Sequence, residues 1–265
     1  MNIQYLYLLA PLHTGGTTQE GNLLGIARES HTNFPYIPSS TIRGRLRASS
    51  PPTQRDQLFG NELNDGQTSD GSDNLTQGQI WIGDGSLLWI PIPSLSHGVI
   101  WVSCPLLLNR YARFSGHTGA VQEYSCNFLK AGEKIYLKDA IFNPQDLTDF
   151  GAWQNFVPQS HQQEITRVLV LPDQHCATVI QMGLWRQVKI KLDEHKTVDG
   201  GFRYEEAIPP DSLMYFPWGI TAQTHSNDAD QASQEFRDLL TDTDHELLQI
   251  GGQESLGRGF VQSFQ

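Results

Sequence analysis

The sequence predicts an α+β fold that contains an antiparallel sheet. Segments with strand character and segments with helix character are mixed along the chain, without the regular strand–helix–strand order of parallel α/β proteins. The 24 glycines and 14 prolines indicate many turns, and 265 residues of ordinary hydrophobic content can bury a sizeable core. No internal repeat and no linker divides the chain, so a single domain over residues 1–265 is expected.

The N-terminal half is predicted to contain three strands and two helices. An apolar run with two tyrosines is typical of a buried first strand. The first helix is expected to begin after Pro38, with Ser39 or Ser40 as its N-cap. The segment 51–78 is polar and has little periodicity, which indicates an exposed, partly disordered loop. The predicted elements are a strand at 3–10, a helix from 38 to about 49, strands within 79–93 and 98–104, and a helix at 104–113.

The C-terminal half is predicted to contain further strands, three helices and a hairpin. The stretch WRQVKIKL alternates polar and apolar residues as a strand does, and the turn that follows it continues into FRYEE. Residues 185–204 are therefore a candidate hairpin. The predicted elements are a strand within 133–142, a short helix running into a strand at 163–171, a helix at 172–182, a strand at 211–218, a helix at 228–240 and a strand at 247–250.

The composition excludes several classes of protein. An odd number of widely spaced cysteines, without a C-x-x-C pair, argues against a disulfide framework and a structural zinc site. The apolar run at the N-terminus is too short and too interrupted for a signal peptide, and no stretch approaches the roughly 18 apolar residues of a membrane helix. A cytoplasmic protein without a membrane partner is expected. The cysteines are Cys104, Cys126 and Cys176.

Charge is distributed unevenly along the chain. A net charge of −11 does not favour binding to phosphates, yet the segment 28–47 has four arginines against one acidic residue. Acidic residues are concentrated in 56–73 and in 242–246. A local basic face can hold RNA if neighbouring subunits supply further charge, so the isolated chain is expected to bind RNA weakly. The four arginines are Arg28, Arg43, Arg45 and Arg47.

The first motif with chemical content is PYIPSSTIRGRLR, at the predicted start of the first helix. Ile42 and Leu46 lie four residues apart on one helix face, and Arg43 and Arg47 lie four apart on a neighbouring face. Backbone N–H groups at a helix N-terminus attract phosphate, and arginines on the same face add charge-assisted hydrogen bonds. A solvated arginine face on an ordinary helix is the alternative interpretation.

Two further motifs are rich in glycine. The C-terminal segment IGGQESLGRGF allows close approach of its backbone to a polyanion and contains Arg258, but it fits neither a P-loop nor a dinucleotide-binding fingerprint. His13 precedes Gly15 and Gly16 at the exit of the first strand, where binding and catalytic loops often occur. His13 is a candidate general base, although a lone histidine more often has a structural hydrogen-bonding role.

Taken in order, the motifs resemble a known family. PLHTGG, RESHTNFPYIPSSTIRGRLR, IWIGDGSLLWIPIPSLSHGVIWVSCPLLLNRY, YEEAIPPDSLMY and IGGQESLGRGFV are similar to the repeated backbone subunit of type III-B (Cmr-type) CRISPR effector complexes, within the RAMP superfamily. The similarity runs from about residue 3 to about residue 262. It implies one RAMP-type domain with a ferredoxin-like, RRM-type palm, an inserted β-hairpin thumb and loop-rich insertions.

The resemblance also implies partners and binding residues. Members of the family assemble along a CRISPR guide RNA, with copies of themselves or related subunits, and their thumbs insert into the guide–target duplex. The hairpin at 185–204 is the candidate thumb, and Trp185 and Phe202 are its candidate stacking residues; the alternative is that both aromatic side chains belong to the core. Arg43 corresponds to the family's guide-binding lysine. The other residues expected to bind RNA are Arg28, Ser40, Thr41, Gly44, Arg47, Gly251, Gly252, Gly257, Arg258 and Gly259.

One departure from the family pattern bears on catalysis. Many members have an aspartate, needed for metal-dependent cleavage of target RNA, in the position that Leu23 occupies here. Leucine does not ligate Mg²⁺, and Glu20 is the nearest carboxylate that can substitute. We therefore expect a subunit that holds guide and target without cutting and needs no metal or other cofactor. The alternative is a Mg²⁺-dependent endoribonuclease, and a more distant one is a hydrolase that uses His13 with Asp84.

Overall fold

The computed structural model describes residues 1–15, 19–20, 23–61, 63–64, 67–68, 75–117, 119–138, 140–241 and 247–265, without the side chains of 19–20, 63–64 and 67–68. The helices are α1 (Ser39–Ser49), α2 (Pro52–Phe59), α3 (Pro105–Ser115), α4 (Asp173–Gly183) and α5 (Ser226–Leu240). The strands are β1 (Asn2–Leu8), β2 (Gln19–Glu20), β3 (Leu23–Leu24), β4 (Tyr36–Ile37), β5 (Leu63–Asn64), β6 (Gln67–Thr68), β7 (Ile80–Ile82), β8 (Gly85–Ser94), β9 (Gly98–Ser103), β10 (Ser125–Cys126), β11 (Ile135–Leu137), β12 (Ala140–Phe142), β13 (Thr148–Asp149), β14 (Val168–Val170), β15 (Trp185–Leu192), β16 (Val198–Ala207), β17 (Leu213–Ile220), β18 (Leu247–Gln249) and β19 (Phe260–Phe264). Short 3₁₀ turns cover Pro144–Asp146, Trp153–Phe156, Gln159–His161 and Glu254–Leu256.

The centre of the fold is an antiparallel sheet with the order β8–β17–β1–β19. With α1 after β1 and α5 after β17, the chain follows the βαββαβ path of a ferredoxin-like palm, whose fourth, first, third and second strands lie side by side. The sheet continues beyond β8 through β9, β14, β10 and β13, and beyond β19 through β18. The expected α+β class and palm are confirmed.

Both faces of the palm are buried, and side-chain alternation along the strands divides them. Leu6 and Leu8 of β1 pack in one core cluster with residues of α1 and α5, among them Ile42 and Phe236. Tyr7, between the two leucines, packs on the opposite face with α3. Because side chains alternate with a period of two, the continuous apolar run in β1 serves two cores at once.

A second, smaller sheet projects from the palm. It consists of β15, β16, β3 and β2 in that order, with β15 and β16 forming the predicted hairpin. The hairpin is buried only at its base, where Glu205 to Ala207 lie, whereas most of its residues toward the turn are exposed. This arrangement matches the inserted hairpin that the resemblance implies.

Several sequence predictions need correction. The segment 51–78 begins with a helix, α2, because Pro52 favours the first helical turn and Leu58 and Phe59 anchor its end in the core. Part of this segment, and the acidic run at 242–246, lie outside the described residues. The expected strand at 133–142 is a two-stranded hairpin, β11–β12, and residues 163–167 form a turn and irregular chain where a short helix running into β14 was expected. The helices expected at 104–113, 172–182 and 228–240 are confirmed as α3, α4 and α5. Among the described helices, none has the length and apolar character needed to cross a bilayer.

Candidate nucleic-acid interface

A cleft of about 670 Å³ lies where the palm meets the base of the hairpin. The segment after β3 forms one wall, the first residues of β15 and the last of β16 form another, and the start of α1 closes one end. Its lining includes Leu23, Arg28, Pro38, Arg186 and Glu206. Three regions that the sequence singled out separately therefore share one concave surface.

Glu206 holds two arginines at this surface. Its carboxylate accepts hydrogen bonds from Arg28, at 2.7 Å, and from Arg186, at 2.9 Å, and its side chain is only 2% exposed. A buried carboxylate needs such partners because its charge has lost its hydration. The ion pairs fix Arg28 and Arg186 side by side along the cleft, with part of each guanidinium still open to solvent.

Glu29, next to Arg28, anchors the same segment to the palm. Both of its oxygens accept hydrogen bonds from Arg110 of α3, and Thr32 adds another at 2.5 Å. Partial burial alone would raise the pKa of Glu29, but the hydrogen bonds from Arg110 and Thr32 outweigh it and hold the pKa below its usual value. Arg28 and Glu29 therefore hold the segment after β3 between two elements. Arg28 bonds to Glu206 of the hairpin, and Glu29 bonds to Arg110 of α3.

We expect Glu29→Gln to lower the free energy of unfolding by about 2 kcal/mol at pH 7, since a charged hydrogen-bonded pair is lost. Because the pKa of Glu29 is lower in the folded than in the unfolded chain, its contribution is complete above about pH 4.5 and decreases as the pH falls through the folded pKa. Urea unfolding of wild type and variant at pH 7 and pH 3.5 measures the difference in unfolding free energy between them. If this difference were the same at pH 3.5 as at pH 7, the assignment would be contradicted.

Leu23 lies at the junction of the cleft and the hairpin. In β3 it pairs with Tyr204 of β16, and it is half-buried in the cleft wall. The backbone of Glu20 pairs with Leu23 across β2 and β3, whereas the Glu20 side chain lies outside the described residues. The position at which the resemblance expects an aspartate therefore faces the cleft with an aliphatic side chain.

The start of α1 is capped differently from the sequence prediction. Pro38 is the N-cap, and neither Ser39 nor Ser40 caps the helix with its side chain. Instead, Asp84 accepts a hydrogen bond from the Ser39 N–H at 2.7 Å. A carboxylate at this position already compensates the positive end of the helix dipole. Ser40 is exposed beside the cleft, and Thr41 is half-exposed.

Arg43 and Arg47 of α1 contact α2. Arg43 donates a hydrogen bond to the carbonyl of Phe59, and Arg47 donates to the carbonyl of Gly60 and to the carboxylate of Asp56. The unsatisfied carbonyls at a helix C-terminus are favourable partners for cations. These two arginines therefore hold α1 against α2, whereas Gly44 beside them is exposed and has open space above it.

The C-terminal glycine loop packs against the segment that follows β1. Gly252 donates a hydrogen bond to the carbonyl of His13 at 3.0 Å, and Gly251, Gly257 and Gly259 have positive φ angles. The Arg258 side chain points inward, where it lies over the Trp185 ring at 4.6 Å from the ring centroid. The loop thus contacts the base of the hairpin, so these two predicted binding elements lie together.

The two faces of the hairpin differ in chemistry. Cross-strand partners share a face, and the pairs Val188–Tyr204 and Ile190–Phe202 are both apolar and exposed. Lys189 pairs with Arg203 on the other face, which is basic. Phe202 was predicted from the sequence as a stacking residue, whereas Tyr204 and the basic face were not. The alternation in WRQVKIKL was the available signal, because it places lysines and aliphatic residues on opposite faces.

The residues proposed for hydrolase chemistry have structural roles. His13 is 5% exposed, and its Nδ1 donates a hydrogen bond to the carbonyl of Glu206 at 2.9 Å. Asp84 caps α1, and no hydrogen bond or ion pair joins these two described residues. The described residues also contain no group of three or more His, Cys, Asp or Glu side chains able to hold a metal ion. The arrangement gives no support to a hydrolase that uses His13 with Asp84.

Comparisons with known proteins identify the family and support the fold. The sequence profile of the RAMP superfamily matches residues 5–262. The chain is 29% identical to the CRISPR system Cmr endoribonuclease Cmr4 of Pyrococcus furiosus, over 97% of this chain and 92% of that protein. The fold is similar to crystalline oligomeric Cmr4 from Pyrococcus furiosus, with 22% identity, a TM-score of 0.69 and coverage of 98% and 95% of the two chains. It is also similar to a chain of the type III-B Cmr-beta complex bound to cognate target RNA, with 18% identity, a TM-score of 0.73 and coverage of 98% and 95%.

Proposed function

Because this chain belongs to the RAMP superfamily, we propose that it is a guide-RNA-binding backbone subunit of a type III CRISPR effector complex. Residues 1–265 act as one RAMP-type unit, in the cytoplasm, with further copies of the chain or related subunits as neighbours. The observation that carries the proposal is the shared surface formed by the start of α1, the arginine-lined cleft and the hairpin beside the glycine loop.

The charge of this surface suits a nucleic-acid strand despite the acidic composition of the chain. On the cleft face of the hairpin base, Arg28 and Arg186 surround the buried Glu206. On the opposite face, Arg203 and Arg258 surround the buried Glu205, so each face has a local excess of positive charge. Lys189 extends the positive charge of the Glu205 face along the hairpin, whereas Lys191 is paired with Asp199. We infer that a phosphate backbone follows this surface, while Arg43 and Arg47 contribute their long-range field and hold α1 in place.

The exposed apolar face of the hairpin suits contact with bases. Phe202 is 48% exposed and packs edge-on against Tyr204, at 5.5 Å between ring centroids. Trp185, the other candidate for stacking, is half-buried and already stacked with Arg258. Phe202 and Tyr204 are therefore the residues that we propose insert into a guide–target duplex.

Phe202→Ala is expected to weaken binding of the guide–target duplex by about 1–3 kcal/mol, because a base loses its aromatic stacking partner. Fluorescence anisotropy with a labelled duplex and the assembled complex measures the change. Tyr136→Ala is the matched control, since Tyr136 is an aromatic residue with 40% exposure on β11, a strand that does not belong to the hairpin. Equal losses of affinity in both variants would contradict the assignment.

We further propose that the subunit does not cut its target. Leu23 offers no ligand to Mg²⁺, and the two carboxylates that line the cleft, Glu29 and Glu206, are each paired with arginine. The described residues of the cleft therefore do not fit a bound Mg²⁺, which prefers free carboxylates and water. Target cleavage is accordingly assigned to other members of the assembly.

A metal-dependent endoribonuclease is the second candidate function. It is favoured by the name of the relative with 29% identity and by the register that pairs Glu20 with Leu23. A reconstituted complex, incubated with Mg²⁺ and 5′-labelled target RNA, separates the two functions. We expect that no cleavage product of the target RNA is made by this subunit. A ladder of evenly spaced products that disappears in Glu20→Ala would overturn the non-cutting proposal.

A further inference from the structure

Arg258 is buried although it lies in an exposed loop. Its neighbour Gly257 is exposed, but Arg258 itself is 3% exposed and turns away from solvent. Its guanidinium stacks on Trp185, donates a hydrogen bond to Gln187 at 2.9 Å and forms an ion pair with Glu205 at 3.3 Å. Trp185, Gln187 and Glu205 all lie on one face at the base of the hairpin, so a single arginine contacts both strands at once.

Arg258 compensates the buried charge of Glu205. The side chain is fully buried, and its Oε1 is paired with Arg203, whose guanidinium is largely exposed. No hydrogen bond of normal geometry reaches Oε2 among the described residues, so the ion pair with Arg258 is its compensation. An uncompensated buried carboxylate is costly, and the pair therefore favours one placement of β16 against the glycine loop.

The hairpin has few other attachments. Beyond its base the side chains of Val188, Ile190 and Phe202 are exposed, and within the described part of the chain its lateral neighbour β3 pairs with two residues of β16. Glu206 fixes one face of the base through Arg28, and Arg258 fixes the opposite face through Glu205. Removing either contact leaves one face of the hairpin base without its ion pair to the rest of the fold.

We propose that Arg258 is a positioning residue that fixes the angle of the hairpin relative to the glycine loop. It acts on RNA through the placement of the hairpin rather than as a phosphate ligand. The effect on RNA rests on the proposed function, whereas the mechanical role concerns the free chain and can be tested without RNA.

The mechanical role is tested by pulsed electron paramagnetic resonance between two nitroxide labels. Glu194→Cys, at the hairpin turn, and Leu95→Cys, on the palm, are highly exposed attachment sites, whereas the native cysteines are buried. We expect a narrow distance distribution in the labelled parent and one at least about twofold wider after Arg258→Ala, because local order is lost. Arg258→Lys keeps the positive charge beside Glu205 and Trp185 and is expected to restore most of the narrow distribution.

Arg237→Ala is the matched control. Arg237 also lies over a tryptophan, at 5.7 Å from the Trp218 ring centroid, and donates a hydrogen bond to Asn2, but it belongs to α5. Arg237→Ala is expected to lower the free energy of unfolding without widening the distribution of distances between the two nitroxide labels. An unchanged distribution after Arg258→Ala, or equal widening after Arg237→Ala, would overturn the positioning role.

RNA binding supplies the second measurement, with a single-stranded guide RNA titrated against the assembled complex at several salt concentrations. Arg258→Ala is expected to weaken binding by about tenfold, with an unchanged slope of log affinity against log salt. A slope reduced by about 0.7 would instead identify Arg258 as a phosphate ligand and overturn the proposal. Absence of RNA binding by the parent complex would refute the proposed function, while the distance distributions would still decide the mechanical role.

Discussion

Replacing Leu23 with aspartate is expected to give the assembled complex a Mg²⁺-dependent cleavage of target RNA at regular intervals. The new carboxylate enters a cleft wall that already contains Arg28 and Arg186, and the backbone of Glu20 pairs with this position. A positioned acid–base or metal-binding group contributes about 10²–10⁴-fold to a rate, so we expect at least about a hundredfold increase over the parent complex. Denaturing gel electrophoresis of 5′-labelled target measures the products.

Leu24→Asp is the control for this gain. Leu24 is the next residue of β3, pairs with Glu205 instead of Tyr204 and therefore faces the opposite side of the small sheet. It carries the same substitution without placing a carboxylate in the cleft, so no cleavage is expected. A parent complex that already cuts at this position, or an inactive Leu23→Asp complex that still binds its target, would contradict our account of Leu23.

The second large effect is expected for Gly259→Ala. Gly259 has a φ of +76°, and a Cβ added there would overlap the backbone carbonyl oxygen of Ile250. The same glycine holds the loop through hydrogen bonds to Ile250 and Pro11. Left-handed backbone alone costs about 1–2 kcal/mol for alanine, and with the steric overlap we expect a loss of about 4 kcal/mol or more in unfolding free energy.

Gly257→Ala separates backbone conformation from steric overlap in the same loop. Gly257 has a similar φ of +72°, but a Cβ there meets nothing within 4 Å. It is expected to lose only about 1–2 kcal/mol. Thermal unfolding should therefore show a melting temperature about 10 °C lower for Gly259→Ala and only a few degrees lower for Gly257→Ala. Equal shifts would mean that the loop does not pack against the palm as described.

The sequence predicted those parts of the fold that follow from local pattern. The spacing of Ile42 and Leu46 defines the buried face of α1, and the polar–apolar alternation defines the two faces of β15. Both patterns can be recognised from the local sequence alone. The helix α2 was missed because only its last two residues are apolar, so its stability comes from α1 and the core rather than from its own periodicity.

The candidate site was predicted less completely, because an arginine in a motif does not reveal its partner. Arg43 and Arg47 were expected to face RNA, and Arg258 was expected in an open loop, yet all three bond to protein groups. Their partners lie in α2 and in the hairpin, and only tertiary structure brings them together. Leu23 was identified through the resemblance, which places an aspartate five residues before an Arg-Glu pair, here Arg28 and Glu29.

Glu205 and Glu206 lie side by side at the base of the hairpin, and nothing in the sequence distinguishes them from acidic residues on the surface. Alternation along β16 directs Glu205 and Glu206 to opposite faces, and each one gathers two arginines there. A chain with a net charge of −11 thus builds a basic patch on each face of the hairpin base by burying one carboxylate beneath each patch.

The most direct test of this account is photochemical crosslinking of a guide RNA containing 4-thiouridine in the assembled complex, followed by mass spectrometry of the crosslinked peptides. We predict crosslinks in residues 28–41 and 185–207 of this subunit, which contribute to the cleft and form the hairpin. Crosslinks confined to residues 124–142, which include Tyr136 and β12, with none in the cleft or hairpin, would contradict the proposed RNA-binding surface.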